Sequence, residues 1–305
     1  MYDVQVAPKL TIGIPLYNDE TYIKQTILSI QQQKFEDFQL IILNDCSTDA
    51  SREIVRNICL TDNRIILHDN YSNLGNLRNF INLLEYCDSE FFSWVGDHDL
   101  VTESYYQILI KELELNKSIN YAYGHLVYID EIGNEIEKSP DPRINKEFLS
   151  LTGIERFFFS IGMSRANLIN FHGVYRSKIL KNFNKRHQNS YVGWDHIVAS
   201  RACYFRPSFN SMAEFKIRIF TQRHSTTYTR AVGLNSFTAK LKPTFIPLVK
   251  SFVIEYWSLP EKYLFKIFRI PRLIYIIRKE YKIKIFRNIF WEFSNLTKKH
   301  LIRKY

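Results

Sequence analysis

The chain has 305 residues, of which 46% are hydrophobic and 15% aromatic, enough for a sizeable core and too apolar for global disorder. Its net charge of +10 is unevenly placed. Residues 236–305 carry 16 Lys and Arg against 4 Asp and Glu, which leaves 25 basic and 27 acidic side chains in the first 235. A basic tail without a recognition motif, on a near-neutral body, argues against nucleic acid as a partner.

Four scattered cysteines (Cys46, Cys59, Cys87, Cys203) without a CxxC pair argue against structural zinc or a disulfide framework and fit a reducing compartment. The start MYDVQVAPKL lacks the basic and apolar regions of a signal peptide, and no window reaches the roughly 18 apolar residues of a spanning helix. The expected location is the cytoplasm, with attachment to the inner face of a membrane left open.

Leu10–Leu16 (LTIGIPL) and Phe38–Leu43 (FQLIIL) read as buried parallel strands, each followed by turn residues and then a helical period. Between them, Glu20–Gln33 sets Tyr22, Ile23, Ile27 and Ile30 on one helix face. A second helix is expected after Asp49, carrying Ile54, Val55 and Ile58. Arg64–His68 reads as a third strand and Phe91–Val95 as a fourth, running into Gly96-Asp97-His98-Asp99. This alternation predicts an α/β fold with a doubly wound, mostly parallel open sheet, whose ligands bind beyond the strands' carboxyl ends. A helix at Tyr105–Glu114, a strand pair about Gly133, a Pro/Asp-rich loop at Ser139–Arg143, a strand at Asn170–Tyr175 and a helix from Trp194 follow.

Asp97-x-Asp99 at a strand end is the chief chemical signal. Two carboxylates in a dry site need a compensating cation, and hard oxygen donors suit Mg²⁺ or Mn²⁺ held partly by substrate phosphates. Alone, the pair reads equally as a solvated acidic turn capping the next helix. It is not alone. Pro15-Leu16-Tyr17-Asn18 follows the first strand, Asn44-Asp45-Cys46-Ser47-Thr48-Asp49 the second, and Asn73-Leu74-Gly75-Asn76-Leu77-Arg78-Asn79 the third.

With these four motifs in order, the sequence resembles the family 2 glycosyltransferases, inverting enzymes of GT-A fold. The resemblance implies a catalytic domain over residues 1–235, with a nucleotide-sugar-binding half at about 1–105 and an acceptor half at about 106–235. It also implies that Pro15, Tyr17, Asn18, Asp45, Asn73, Arg78 and Asp97 line the nucleotide site. Asp45 would accept a hydrogen bond from the base, Tyr17 would stack on it, and Arg78 would pair with the diphosphate. Asp99 would be the direct metal ligand, with Asp97 and His224 as further ligands. Asp195, in Trp194-Asp195-His196-Ile197-Val198-Ala199-Ser200-Arg201, would be the general base, and His172 a weak acceptor contact.

Structural readings stand beside these: Ser47, Thr48 and Asp49 as helix caps, Asn73 and Gly75 as turn residues, Arg78 as a surface partner of Glu85 or Asp88, and His98 as a bystander. Asn44, Cys46 and Trp194 depart from the family's Asp, Gly and Glu. The partners implied are a nucleotide-sugar donor, with UDP expected, and a glycan or lipid-linked acceptor. A catalytically silent nucleotide-binding or scaffold protein is the rival reading. A GxGxxG dehydrogenase or a Gly-loop nucleotidyltransferase is excluded, because Gly13 is the only glycine in the first 74 residues. The tail, 236–305, interleaves Lys and Arg with aromatics. It reads as a helical appendage that either meets anionic lipid or packs on the core.

Overall fold

In a computed structural model, residues 7–139, 146–162, 171–183, 194–220, 254–256, 258 and 259 are described. The first half follows the sequence closely. Strands β1 (Leu10–Leu16), β2 (Phe38–Asn44), β3 (Ile65–Asp69) and β4 (Phe91–Trp94) alternate with helices α1 (Ile23–Gln31), α2 (Ser51–Cys59) and α3 (Asn76–Asn82). Strand β5 (Leu100–Val101), helix α4 (Tyr105–Leu115) and the hairpin β6 (Tyr121–Ile129) and β7 (Glu135–Lys138) come next, then α5 (Lys146–Ser150), α6 (Gly153–Gly162), β8 (Gly173–Arg176), α7 (Trp194–Tyr204) and β9 (Pro207–Arg218). The hairpin turns at Gly133, whose φ of 98° suits glycine. The expected loop at Ser139–Arg143 lies, beyond its first residue, outside the described residues.

The sheet order is β3-β2-β1-β4-β8-β6-β9-β5, with β7 on β6. β3, β2, β1 and β4 pair in parallel, as expected. Beyond them, β8 is antiparallel to both β4 and β6, while β6 and β9 are parallel. β5, β7 and β8 therefore run against the other strands. The twelve-residue β9 has no counterpart among the expected elements.

Both faces of β1, β2 and β4 are covered, which is why their sequences run apolar without alternation, while the edge strand β3 leaves Ile66 exposed. Successive side chains still point to opposite faces. Leu40 and Ile42 join one core with Ile27, Ile30, Val55 and Leu109 of α1, α2 and α4. Ile41 and Leu43 join the other, with Trp94, Tyr121, Tyr175, Phe157 and Val198. Burying each such aliphatic or aromatic side chain contributes about 1.5–3 kcal/mol.

The second core also contains Tyr256 and Leu259, both essentially inaccessible. Glu255 beside them is fully buried and ion-paired with Arg201 of α7. At these residues the expected tail packs on the core, the second arrangement the sequence left open. The rest of 236–305 lies outside the described residues. Among the described residues, no helix is long and apolar enough to cross a membrane.

Candidate functional site

The loops after β1 and β2 are latched together. Asn18 (φ 50°) and Cys46 (φ 62°) both adopt the left-handed conformation, which turns the chain sharply at the strand ends. The Asn18 N–H donates to Ser47 Oγ (3.1 Å), and Asn18 Oδ1 accepts the Thr48 N–H (2.7 Å). The Glu20 N–H donates to Asp49 Oδ2 (3.1 Å), and Glu20 Oε2 accepts the Ala50 N–H (2.8 Å). Asp49 Oδ1 accepts the Ser51 N–H (3.0 Å) and hydroxyl (2.6 Å) at the start of α2. Burial pushes the Asp49 carboxyl up, but the Ser51 hydroxyl and the backbone N–H donors outweigh it and hold it below the usual range. The N-cap of α2 is Ala50, not one of the three residues suggested; Asp49 precedes it and holds Ser51, while Ser47 and Thr48 fasten the two loops.

Asp45 is 1% exposed. Its Oδ1 accepts from Asn70 Nδ2 (2.8 Å) and the Leu74 N–H (2.8 Å), and its Oδ2 from the Gly75 N–H (2.8 Å). Since each carboxylate oxygen offers two acceptor positions, Oδ2 keeps one. Asn70 also donates to Asn79 (3.0 Å), whose own amide holds the Leu43 carbonyl (2.8 Å). Asn73 Oδ1 accepts the Gly75 N–H (3.0 Å), the turn role named for it, and Gly75 at φ 83° precedes α3.

The two departures in this loop have physical reasons. Asn44 donates to Asp69 (2.8 Å), so an Asp there would oppose a carboxylate. Cys46 holds the left-handed conformation that favours the family's glycine. Pro15 is buried in β1, while Tyr17 is 48% exposed. Arg78 is exposed on α3 and forms no ion pair among the described residues, so neither Glu85 nor Asp88 occupies it.

The turn after β4 meets these loops. Asp97 Oδ2 accepts the Tyr17 N–H (3.2 Å), and Asp97 Oδ1 lies 3.1 Å from His98 Nδ1. The same nitrogen is 3.0 Å from Asp19 Oδ2. One ligand atom from each of Asp19, Asp97 and His98 falls within 4.8 Å of the others. Asp19 is 5% exposed, and its Oδ1 is buried without a hydrogen-bond partner. Burial pushes the His98 imidazole down, but the Asp19 and Asp97 carboxylates outweigh it and hold it well above its ordinary value.

His98, read as a bystander, is therefore a member of the cluster, and Asp99 stands outside it. Asp99 is buried, with Oδ1 on the Arg218 N–H (3.1 Å). Its Oδ2 fills the space above Gly96, 2.5 Å from where a Cβ would stand. Burial raises its carboxyl above the usual range. The Asp19 and Asp97 carboxylates, with Asp19 Oδ1 buried and unpartnered, and the His98 imidazole once deprotonated are donors that fit Mn²⁺ or Mg²⁺.

Sequence reasoning missed Asp19 and Arg218. Asp19 directly follows the first motif, and its carbonyl accepts the Ile23 N–H (3.0 Å) ahead of α1. Nothing local marks Arg218, which reaches the turn from the end of β9. Asp195 lies in the first turn of α7; its side chain, that of His196, and His224 are outside the described residues. Arg201, which closes the Asp195 motif, is buried against Glu255, Ser258 and the Ile179 carbonyl. His172 is buried beside Phe171 (4.0 Å) and Phe215 (4.3 Å), and its Nδ1 lacks a hydrogen-bond partner. Burial lowers it to about 3. It reads as a neutral wall residue.

Residues 11–183 match the family model described as glycosyl transferase family 2. The chain belongs to this family. Among similar curated proteins, the GalNAc(5)-diNAcBac-PP-undecaprenol beta-1,3-glucosyltransferase of Campylobacter jejuni is 25% identical over 68% of this chain and 66% of its own length. An uncharacterized glycosyltransferase of Haemophilus influenzae is 30% identical over 43% of the chain and 52% of its own length. The chain thus spans about half to two thirds of the length of these two relatives. Among solved structures, S. aureus TarS 1-349 in complex with UDP-GlcNAc is similar at a TM-score of 0.59 and 15% identity, covering 94% of this chain and 79% of that one. The mannosyltransferase PcManGT from Pyrobaculum calidifontis, in complex with GDP-Man and Mn²⁺, gives 0.52 at 12% identity, covering 99% and 82%. Both carry the same GT-A fold as this family 2 glycosyltransferase.

Proposed function

We propose that this chain is an inverting glycosyltransferase that moves a sugar from a nucleotide diphosphate sugar, of the uridine series, to a hydroxyl of a glycan or lipid-linked acceptor in surface polysaccharide synthesis. The observation that carries the reading is the junction of three motif loops at the carboxyl ends of β1, β2 and β4, where Asp97 accepts the Tyr17 N–H at 3.2 Å. Open sheets bind ligands at such ends. The free acceptor position on Asp45 suits an imide N–H of uracil, with the exposed Tyr17 ring to stack on the base. Arg78, without an ion-pair partner among the described residues, suits a diphosphate. The name of the C. jejuni relative, which includes -PP-undecaprenol, supports a lipid-linked acceptor.

Asp97, Asp19 and His98 would hold a divalent cation, and the resemblance adds Asp99 and His224. Such a cation, when bound, stabilises the charge on a departing diphosphate. Asp195 takes the proton from the acceptor hydroxyl as that oxygen bonds to the anomeric carbon, while the bond from that carbon to the diphosphate breaks on the opposite face. For an anionic-lipid contact of residues 236–305, the support is their sequence alone, with Lys and Arg interleaved among aromatics.

Calorimetric titration of UDP, with Mn²⁺ and with EDTA, tests the reading on wild type and on Asp97→Asn. The expected result is metal-dependent binding that weakens by at least about tenfold in the variant. If none of UDP, GDP and CDP binds, the transferase reading is wrong.

A further inference from the structure

Arg218, the last residue of β9, is 2% exposed, yet no carboxylate among the described residues lies within ion-pair distance of its guanidinium. Its donors are spent instead on neutral oxygens. Nε donates to the His98 carbonyl (3.1 Å), Nη1 to the carbonyls of Asp130 (3.1 Å) and Glu131 (2.8 Å), and Nη2 to Gln25 Oε1 (3.1 Å). Its plane lies 4.5 Å over the Tyr22 ring, and its own N–H holds Asp99 Oδ1 at 3.1 Å. Burying an unpaired cation is costly, so this placement demands compensation. The nearest compensation is the acidic turn it grips, between Asp97 and Asp99.

We infer that Arg218 is the positioning residue of the cation site: one guanidinium ties the central carbonyl of the Asp97-His98-Asp99 turn to the start of α1, and so fixes Asp97 and His98 relative to Asp19. Three features of the geometry carry this. The fork reaches both structural halves that must be held in register, because Gln25 and Tyr22 belong to the α1 region while Asp130 and Glu131 belong to the β6–β7 turn. In the turn the Arg218 guanidinium holds the His98 carbonyl and the Arg218 N–H holds Asp99, so the residue constrains the turn without touching the clustered donor atoms of Asp19, Asp97 and His98. The aromatic contacts continue the clamp, since Phe220, two residues on, packs against both Tyr22 (5.3 Å) and His98 (5.0 Å). A lysine cannot replace it, because a point ammonium lacks the fork that spans four acceptors.

The inference rests on the proposed metal-dependent reading, and the experiment separates the two. Mn²⁺ affinity is measured by the loss of the free-ion paramagnetic resonance signal on titration, in the presence of UDP, alongside thermal unfolding of each protein. Wild type, Arg218→Lys and Gln25→Ala are compared. Removing an outer partner of a metal ligand costs about 10- to 100-fold in affinity, and that loss is expected for Arg218→Lys. Gln25 is exposed and supplies one of the four acceptors; its truncation is expected to weaken Mn²⁺ about 2- to 5-fold at an unchanged unfolding temperature, which a merely structural role would not do. If wild type binds Mn²⁺ and Arg218→Lys, folded, binds it within twofold, Arg218 is not a positioning residue. Should Arg218→Lys not fold, an unchanged affinity in Gln25→Ala overturns the inference equally. Failure of wild type to bind Mn²⁺ would remove the metal reading itself, and this inference with it.

Discussion

Truncating Glu255 should cost this protein a large part of its stability, although the residue lies in a stretch of sequence that reads as an appendage. Glu255 is fully buried and its partner Arg201 is 6% exposed. The other contacts of Arg201 in the described structure, the Ile179 carbonyl, Ser258 Oγ and the Phe205 ring, are all neutral. Replacing Glu255 by Ala therefore leaves a buried guanidinium without its counter-charge. Breaking a buried pair in this way costs about 3–5 kcal/mol, against a typical total of roughly 5–15 kcal/mol. For a chain of this size that corresponds to a fall in melting temperature of about 5–10 °C. Urea unfolding followed by fluorescence of the core Trp94 reads the loss directly. The control is Arg201→Met with Glu255→Met: removing both charges should recover most of the loss, because an apolar pair avoids the desolvation cost altogether. A single Glu255→Ala variant within about 1 kcal/mol of wild type would refute the reasoning, and with it the claim that the catalytic core extends past residue 250.

Two further outcomes follow from strain and burial. Cys46→Gly should raise stability by about 0.5–1 kcal/mol, since a non-glycine at φ 62° carries a backbone penalty that exceeds the weak bond from Sγ to the Asn70 carbonyl (3.3 Å); a lower urea midpoint would show that the thiol contact wins. His172, held to about 3 in the fold against 6.5 for the free side chain, contributes stability that is present above pH 6.5 and lost as pH falls towards 3. The slope is on the order of 1.4 kcal/mol per pH unit. Unfolding free energies measured from pH 7 to pH 4 should show that slope flattened in His172→Leu, and an identical slope in the variant would exclude His172 as its source.

How far the sequence could be read depended on how local the determining contacts are. The loops after β1, β2 and β4 were legible because each motif sits directly behind an apolar run, so strand assignment and site assignment come from one stretch of chain. Asp45 and Asn73 sit where their motifs put them, but burial has used most of their acceptor capacity on the loop from Asn70 to Gly75, which composition cannot reveal. β9 was not legible: Pro207–Asn210 lacks the apolar alternation of its second half, and its partners β6 and β5 are far away along the chain. Whatever depends on β9 was hidden with it, including the Arg218 N–H that meets Asp99 Oδ1. Glu255 and Tyr256 could not be told from the rest of the basic tail for the complementary reason, because their buried partners lie on α7 and α6, 54 and about 100 residues earlier in the chain. The same logic explains the cluster of Asp19, Asp97 and His98. A D-x-D pattern names residues along one strand end, whereas Asp19, Asp97 and His98 are assembled across two loops. The loops after β1 and β2 hold their shape through two left-handed residues and reciprocal hydrogen bonds at Asn18, Thr48, Glu20 and Asp49, and the β4 turn joins them through the Tyr17 N–H on Asp97. Strain at Asn18 and Cys46 is tolerated because those bonds over-determine the backbone, so the groups that would meet the donor are already in place before it arrives.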